Sequence, residues 1–488
     1  MLNQALKFPT LEVSVEPETR KAQLGQFMTP SAIAEFMAGL FPSPTQTHVR
    51  LLDAGAGQGA LALAFMEQWA SQIPGNHEAH LYEVDADTIV KLRTKLAARS
   101  DELQIQVQVY AGDFIEMAEA MIRTRRGPRF THATLNPPYK KISSNSHHRR
   151  LLRTVGLETV NLYSAFVGLA LDLMEPGGQL VAIIPRSFCN GPYYKPFRAF
   201  IMKRAAIRHI HLFESRDKAF KDDAVLQENV IIRLERGAKQ GNVVISTSTD
   251  DSFANYQELT HSFKRIVFPN DPESFIHVPT SGEVTMLECS PTFQHSLADI
   301  GVNISTGPVV DFRMRDELRA MPGKNTVPLL YSNHFTSAGL EWPNPGSKKP
   351  NAIVYSDDTE KWFYPNGFYT VVRRFSSKEE KRRIVANFVD PSMLPAKVLG
   401  FENHLNVFHE NRQPLSEMLA RGLAVYLNCS AVDRFFRRFN GHTQVNAMDL
   451  KLMRYPSRDV LIGLGKWAKA QPAILDQEII DQKIVGLA

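Results

Sequence analysis

From about residue 50 to 245, short β-branched apolar runs alternate with amphipathic stretches, and no other pattern in the chain limits its fold so tightly. Apolar runs of this length belong to strands, and helical periodicity between them supplies the crossovers that parallel strands require. The runs predict strands at 50–54, 80–85, 104–110, 132–135, 179–185, 208–213 and 225–235. Helices are predicted at 60–71, 86–100, 114–123, 162–174 and 195–204, the fourth stopped by Pro176-Gly177-Gly178. Seven strands with interleaved helices predict an α/β domain with a doubly wound, mainly parallel sheet of Rossmann-like type.

The rhythm ends in a stretch rich in Pro, Asn and Gly between Phe268 and Gly282, where a domain boundary is expected. Residues from about 286 to 488 carry shorter, irregular apolar runs and many aromatics, which predict a second domain of mixed α+β type. A chain of 488 residues has room for both. Its 56 Lys and Arg against 51 Asp and Glu give a net +5, which permits a polyanionic partner without naming one. Cys189, Cys289 and Cys429 are too far apart in sequence for a CxxC-type zinc site or a disulfide framework. No metal is expected. The first residues lack a basic segment followed by an apolar one, and no apolar run approaches a membrane span, so a cytoplasmic protein is expected.

The chemistry clusters at the ends of the predicted strands. Leu51-Leu52-Asp53-Ala54-Gly55-Ala56-Gly57-Gln58-Gly59 joins the first strand to the first helix, where open parallel sheets bind ligands. The glycines are spaced GxGxG rather than GxGxxG, and no GxxxxGK[ST] loop occurs, so the loop suits a ligand without a pyrophosphate. At the end of the second strand stands Glu83, placed to grip ribose hydroxyls. Asp113 and Phe114 end the third, offering an acceptor for an adenine amino group and a ring for its face, although an Asp there equally caps the next helix.

Asn136-Pro137-Pro138-Tyr139 follows the fourth strand and so falls at the same edge. Two prolines stiffen the chain and remove N–H donors. The Asn136 side-chain oxygen and the Pro137 carbonyl can then accept both hydrogens of a planar exocyclic NH₂, leaving its lone pair aimed at an electrophile, while Tyr139 stacks on the ring. Such a site serves group transfer to a weakly nucleophilic amine.

In these motifs and their order the chain resembles the γ-class N6-adenine DNA methyltransferases of type II restriction–modification systems, members of the class I S-adenosylmethionine-dependent fold. The resemblance covers nearly the whole chain. It implies a catalytic domain over residues 1–280 and a target-recognition domain over 286–488. It implies S-adenosyl-L-methionine as cofactor, held by Thr29 of Gly25-Gln26-Phe27-Met28-Thr29-Pro30 and by Asp53, Ala54, Gly55, Gly57, Glu83, Asp113 and Phe114. Asn136, Pro137, Pro138 and Tyr139 match the catalytic tetrapeptide. In 185–198, Tyr194 matches the aromatic set against a flipped adenine, with Tyr193 beside it as the alternative. Double-stranded DNA is the implied partner, bound by a monomer that extrudes the target base. A cognate restriction endonuclease would be a separate protein.

In the second domain, Arg373, Arg374, Lys378, Lys381, Arg382 and Arg383 crowd eleven residues, and Arg434, Arg437 and Arg438 flank three phenylalanines. Such interleaving suits phosphate contacts, with a solvated charged helix as the bland alternative for the first cluster. Asn440, Thr443, Gln444 and Asn446 are side chains able to read base edges, or else a polar turn before a helix, and Asn403-His404-Leu405-Asn406 is a weaker case of the same kind. His147-His148-Arg149-Arg150 is expected as a mobile basic loop near DNA. Asp357 or Asp358 with Glu379-Glu380-Lys381 imitates a nuclease metal site, but ExK is common in charged segments. Rival readings are an NPPY methyltransferase of ribosomal RNA or of a protein glutamine, and a decayed DNA-binding module. N4-cytosine methylation more often goes with a Ser-Pro-Pro-Tyr pattern.

Overall fold

The computed structural model describes residues 29–43, 48–69, 75–99, 105–214, 228–269, 271–336, 339–377, 379–441, 443–471 and 475–487. Gly25–Met28 and Lys378, named above, lie outside them.

All seven predicted strands are present: β1 Arg50–Ala54, β2 His77–Glu83, β3 Ile105–Ala111, β4 Phe130–Leu135, β5 Met174–Pro185, β6 Ala205–Phe213 and β7 Asn229–Arg236. Two more, β8 Asn242–Ser248 and β9 Gln257–Ser262, extend the sheet to nine, in the order β3-β2-β1-β4-β5-β7-β6-β8-β9. β9 carries no apolar alternation and is mostly exposed, so periodicity had nothing to detect. Strands β1 to β5 are mutually parallel, and β7 runs antiparallel between β5 and β6.

Helices α1 Ser31–Gly39, α2 Ala60–Trp69, α3 Ala86–Ala97, α4 Phe114–Thr124, α5 His147–Thr154, α6 Leu162–Leu173 and α7 Lys195–Arg204 provide the crossovers and cover. Helix α2 is apolar nearly all round, and seven of its ten residues are buried against Ile33, Met37, Leu51 and Leu81. That burial on several sides is what an apolar helix between sheet and α1 requires. Because β1 pairs with both β2 and β4, the chain order reverses there, and the carboxyl ends of these strands share one edge.

Packing divides the chain into two compact units. One holds Met1–Pro185 with Pro196–Thr260, the other Arg186–Lys195 with His261–Ala488. The division therefore falls ahead of the Pro-rich stretch, and a ten-residue piece following β5 belongs to the second unit.

The second unit is α+β. A four-stranded antiparallel sheet runs Asn303–Thr306, Leu405–His409, Tyr369–Arg373, Ala386–Val389, and a five-stranded sheet of short strands accompanies it. Helices α8 Glu417–Leu427, α9 Ser430–Arg437, α10 Ala447–Lys451, α11 Arg458–Lys469 and α12 Gln477–Val485 close a core that includes Leu423, Tyr426, Phe436 and Leu461. Helices α8 and α11 meet at glycines: a Cβ on Gly422 would stand 1.8 Å from the Leu461 carbonyl oxygen, and one on Gly465 1.8 Å from that of Met418. No helix among the described residues is long and apolar enough to cross a membrane.

Candidate active site

The glycine loop after β1 is tied to β2 by its backbone, with the amides of Gly55 and Ala56 both donating to the Tyr82 carbonyl at 2.9 Å. Gly57 adopts φ +55°, a conformation that side-chain-bearing residues rarely take, and a Cβ there would meet nothing within 4 Å. The glycine thus serves a turn that leaves open space beside the backbone. Glu83 is buried, and its carboxylate accepts from the amides of Gly57 at 2.9 Å, Val84 at 2.8 Å and Asp85 at 2.9 Å. One acid at the end of β2 therefore shapes the loop after β1.

Asp53, the last but one residue of β1, is 1% exposed, and neither carboxyl oxygen completes a hydrogen bond. Burial pushes its carboxyl up to about 8, with the nearby Ala62 amide pulling it down and the charge of Glu83 pushing it up again. A buried acid without a counterion, beside an open glycine turn, fits a small ligand that carries positive charge.

The Asn-Pro-Pro-Tyr loop leaves β4 at the same edge. The Asn136 amide is held at both ends: Nδ2 donates to Thr29 Oγ1 at 2.9 Å, and Oδ1 accepts from the Tyr139 hydroxyl at 3.2 Å. The Tyr139 hydroxyl also lies 3.2 Å from the Ile183 carbonyl oxygen of β5, and its ring stands edge-on to Tyr163 at 6.3 Å. Burial raises the Tyr139 phenol well above its ordinary value, so it stays protonated. Thr29, Asn136 and Tyr139 form one connected group. The sequence offered no signal for the bond across 107 positions between Thr29 and Asn136.

Asp113 does what the capping alternative requires. Its Oδ1 accepts from the amides of Ile115 at 2.8 Å and Glu116 at 3.3 Å, at the start of α4. Its Oδ2 pairs with His148 Nε2 at 2.8 Å. Burial raises the Asp113 carboxyl, but the His148 bond and charge and the two amides bring it below its ordinary value, while the same bond raises His148. Phe114 is buried against Phe166 and Tyr82, with ring centroids 5.1 and 5.3 Å away. The expectation of a mobile loop at His147–Arg150 is corrected: these residues begin α5, capped by Ser146, and buried Arg149 bonds the Thr159 carbonyl and Glu158.

In the second unit, Tyr194 is half-buried, its hydroxyl oxygen accepting from Ser187 Oγ at 3.3 Å, whereas Tyr193 is 74% exposed. The basic cluster forms no helix, because its described residues make turns between two antiparallel strands. Arg373 pairs with Glu380, and Arg374 donates to the Asn403 carbonyl and to Gln444 Oε1, each at 3.2 Å. Lys381 is exposed.

Arg437 bonds Asp433 at 2.7 Å and the Glu380 carbonyl at 2.8 Å. Arg438 is corrected from phosphate contact to internal support: its side chain is 12% exposed and pairs with Glu288, and burial pushes it down to about 10. Asn440 is corrected likewise, being 2% exposed and bonded to Arg383, the Gln444 carbonyl and Asp449. Asn446 caps α10 in a reciprocal box with Asp449, while Thr443 is exposed. Asn406 is buried and holds the Val445 carbonyl.

Three segments that are distant in sequence come together here. The Arg374 amide donates to the His404 carbonyl at 2.8 Å, that of Val445 to Arg374 at 2.7 Å and that of Ser376 to Thr443 at 3.2 Å. Among the described residues, no group of three or more His, Cys, Asp or Glu is placed to hold a metal.

This sheet order, with β7 reversed and the glycine and Asn-Pro-Pro-Tyr loops gathered at the β1/β4 switch point, is that of a class I methyltransferase fold. Residues 84–220 match the family model described as Eco57I restriction-modification methylase. The chain is 53% identical over 473 residues to the type II methyltransferase M.BsuBI of Bacillus subtilis, across 96% of this chain and 94% of that one. It is 42% identical over 452 residues to M.PstI of Providencia stuartii, across 91% and 89%. The chain belongs to the type II methyltransferases of restriction–modification systems.

Among solved structures, the DrdV–DNA complex matches with a TM-score of 0.51 at 13% identity, over 93% of this chain and 57% of that one. A nuclease-deletion mutant of LlaGI with a DNA substrate mimic matches at 0.50 and 11%, over 90% and 54%. These likenesses concern fold alone.

Proposed function

We propose that the protein methylates N6 of an adenine flipped out of a short duplex target, using S-adenosyl-L-methionine, in the cytoplasm and as a monomer on DNA. The sheet unit would carry the chemistry and the second unit the reading of the target, with a cognate endonuclease as a separate protein. The observation that carries this reading is the Asn136 amide, held between two hydroxyls at the edge where the glycine loop and Glu83 also gather.

The cofactor would supply an electrophilic methyl group on a sulfonium. Gly55, Gly57 and Glu83 would line its place, and Asp53 would face its positive charge in a dry setting. An adenine amine is a poor nucleophile because its lone pair is delocalised into the ring. The Asn136 oxygen, an acceptor with two lone pairs, would with the Pro137 carbonyl take the two amine hydrogens. That draws the lone pair out of conjugation and fixes its direction. The Tyr139 ring offers a π face to the charge developing on N6. Tyr194 is the proposed wall of the base pocket. Duplex contact falls to Arg373, Arg374, Lys381 and Arg437, and base reading to Thr443, Gln444 and Asn446, with the Arg374–Gln444 patch foremost.

The test is incubation of the purified protein with S-adenosylmethionine and DNA of diverse sequence, followed by direct sequencing for modified bases. N6-methyladenine is expected at one short motif, with Asn136→Ala at least about 10²-fold slower. Its absence above the Asn136→Ala level sinks the proposal.

A further inference from the structure

We infer that Thr29 is a positioning residue for Asn136, acting through the amide rather than on the reacting atoms. This rests on the reading of Asn136 as acceptor of the target amine. Thr29 stands just before α1, and its Oγ1 takes the Asn136 Nδ2 hydrogen at 2.9 Å. At the other end of the amide the Tyr139 hydroxyl has one proton and two acceptors, Asn136 Oδ1 and the Ile183 carbonyl, both at 3.2 Å. The Thr29 bond at nitrogen is shorter than the divided bond from Tyr139, and it restrains the amide plane.

Asparagine's terminal torsion is soft. Without the Thr29 bond the plane is held less firmly about the Cβ–Cγ bond, and its oxygen can leave the line to the amine. A misplacement of about 1 Å in such an arrangement can cost 10²-fold in rate. Thr29 comes from a segment 107 residues before Asn136, so the loop that holds the amine does not orient itself. The start of α1 completes it.

The resemblance assigned Thr29 to the methionine end of the cofactor, and the two roles separate in kinetics. Thr29→Val keeps the shape and removes the hydroxyl, whereas Thr29→Ser keeps the hydroxyl. The clamp predicts that Thr29→Val lowers kcat about tenfold or more at saturating S-adenosylmethionine, with the cofactor Kd within about twofold of the parent by calorimetry. It predicts that Thr29→Ser keeps most of kcat. In protein labelled with ¹⁵N-asparagine, the Asn136 side-chain NH₂ signals, assigned by their loss in Asn136→Ala, should shift in Thr29→Val and not in Thr29→Ser. A kcat fall smaller than about threefold in Thr29→Val overturns the clamp, whatever happens to Kd. So does an equal loss in Thr29→Ser. Full methylation by Asn136→Ala would instead overturn the reading of Asn136 on which the clamp depends.

Discussion

Asp53 is the residue whose energetics the sequence could least foretell. An Asp before a glycine loop reads as one more ligand contact, yet its burial leaves both oxygens without a completed bond. Its carboxyl, raised by burial to about 8 from an ordinary 3.8, holds a proton that the unfolded chain releases above about pH 4. Stability from this group therefore falls as pH climbs from about 4 to 8. Asp53→Asn escapes that penalty, so without cofactor its melting temperature should exceed the parent's by more at pH 8 than at pH 5. A gap that does not widen refutes the assignment. The same variant should weaken S-adenosylmethionine binding by about tenfold or more, measured by calorimetry at pH 8, because the counter-charge is gone. The places of the candidate residues in the fold were legible because strand ends and glycines locate them. Their partners were not: nothing in Asp113 foretells His148, and nothing in Asn136 foretells Thr29.

Elements followed the sequence where burial imposes a period. Strands β1, β2 and β4 to β7 are largely buried on both faces, and the edge strand β3 alternates half-buried with exposed residues over Ile105–Val109, so each left an apolar run near its place. β9 was missed for the opposite reason, its exposed residues showing no alternation. In the second unit the cation-rich stretch had a charged helix as its bland alternative, but Arg373 and Ala386 are anchored in antiparallel strands, and the turns between them are set by backbone bonds to Thr443 and His404. The α8/α11 contact makes a sharper case. With Gly465 against the Met418 carbonyl and Gly422 against that of Leu461, no rotamer change relieves an added methyl. Gly465→Ala should cost about 3 kcal/mol, seen as a lower denaturant midpoint. A change under about 1 kcal/mol would mean the helices separate without penalty.

At the scale of the molecule, a net +5 says little until the cations are sorted by what they hold. Arg383 and Arg438 are spent on internal partners, Arg374 is half-buried against Asn403 and Gln444, and Lys381 is exposed. Composition could not make that distinction, because a buried guanidinium and an exposed one are the same letter. Two relatives align with this chain over 94% and 89% of their own length, which invites the exchange of one second unit for another.

The short segment Arg186–Lys195 sets the terms of such an exchange. Arg186 donates to the carbonyls of Arg437 and Arg438 at 2.8 Å, and Asn190 reaches Asp449 at 3.1 Å, all of these groups within one unit. A chimera joined only at residue 260 would import the carboxy-terminal half while keeping a foreign version of these ten residues, mismatching buried polar groups with no water to take their place. It is expected to precipitate on expression. A chimera that carries 186–195 along with 261–488 should stay in the supernatant and melt cooperatively. Equal solubility of the two would show that the segment is replaceable. Moving the second unit of this protein is thus a transplant with two pieces, and the smaller one lies in sequence between the two stretches of the sheet unit.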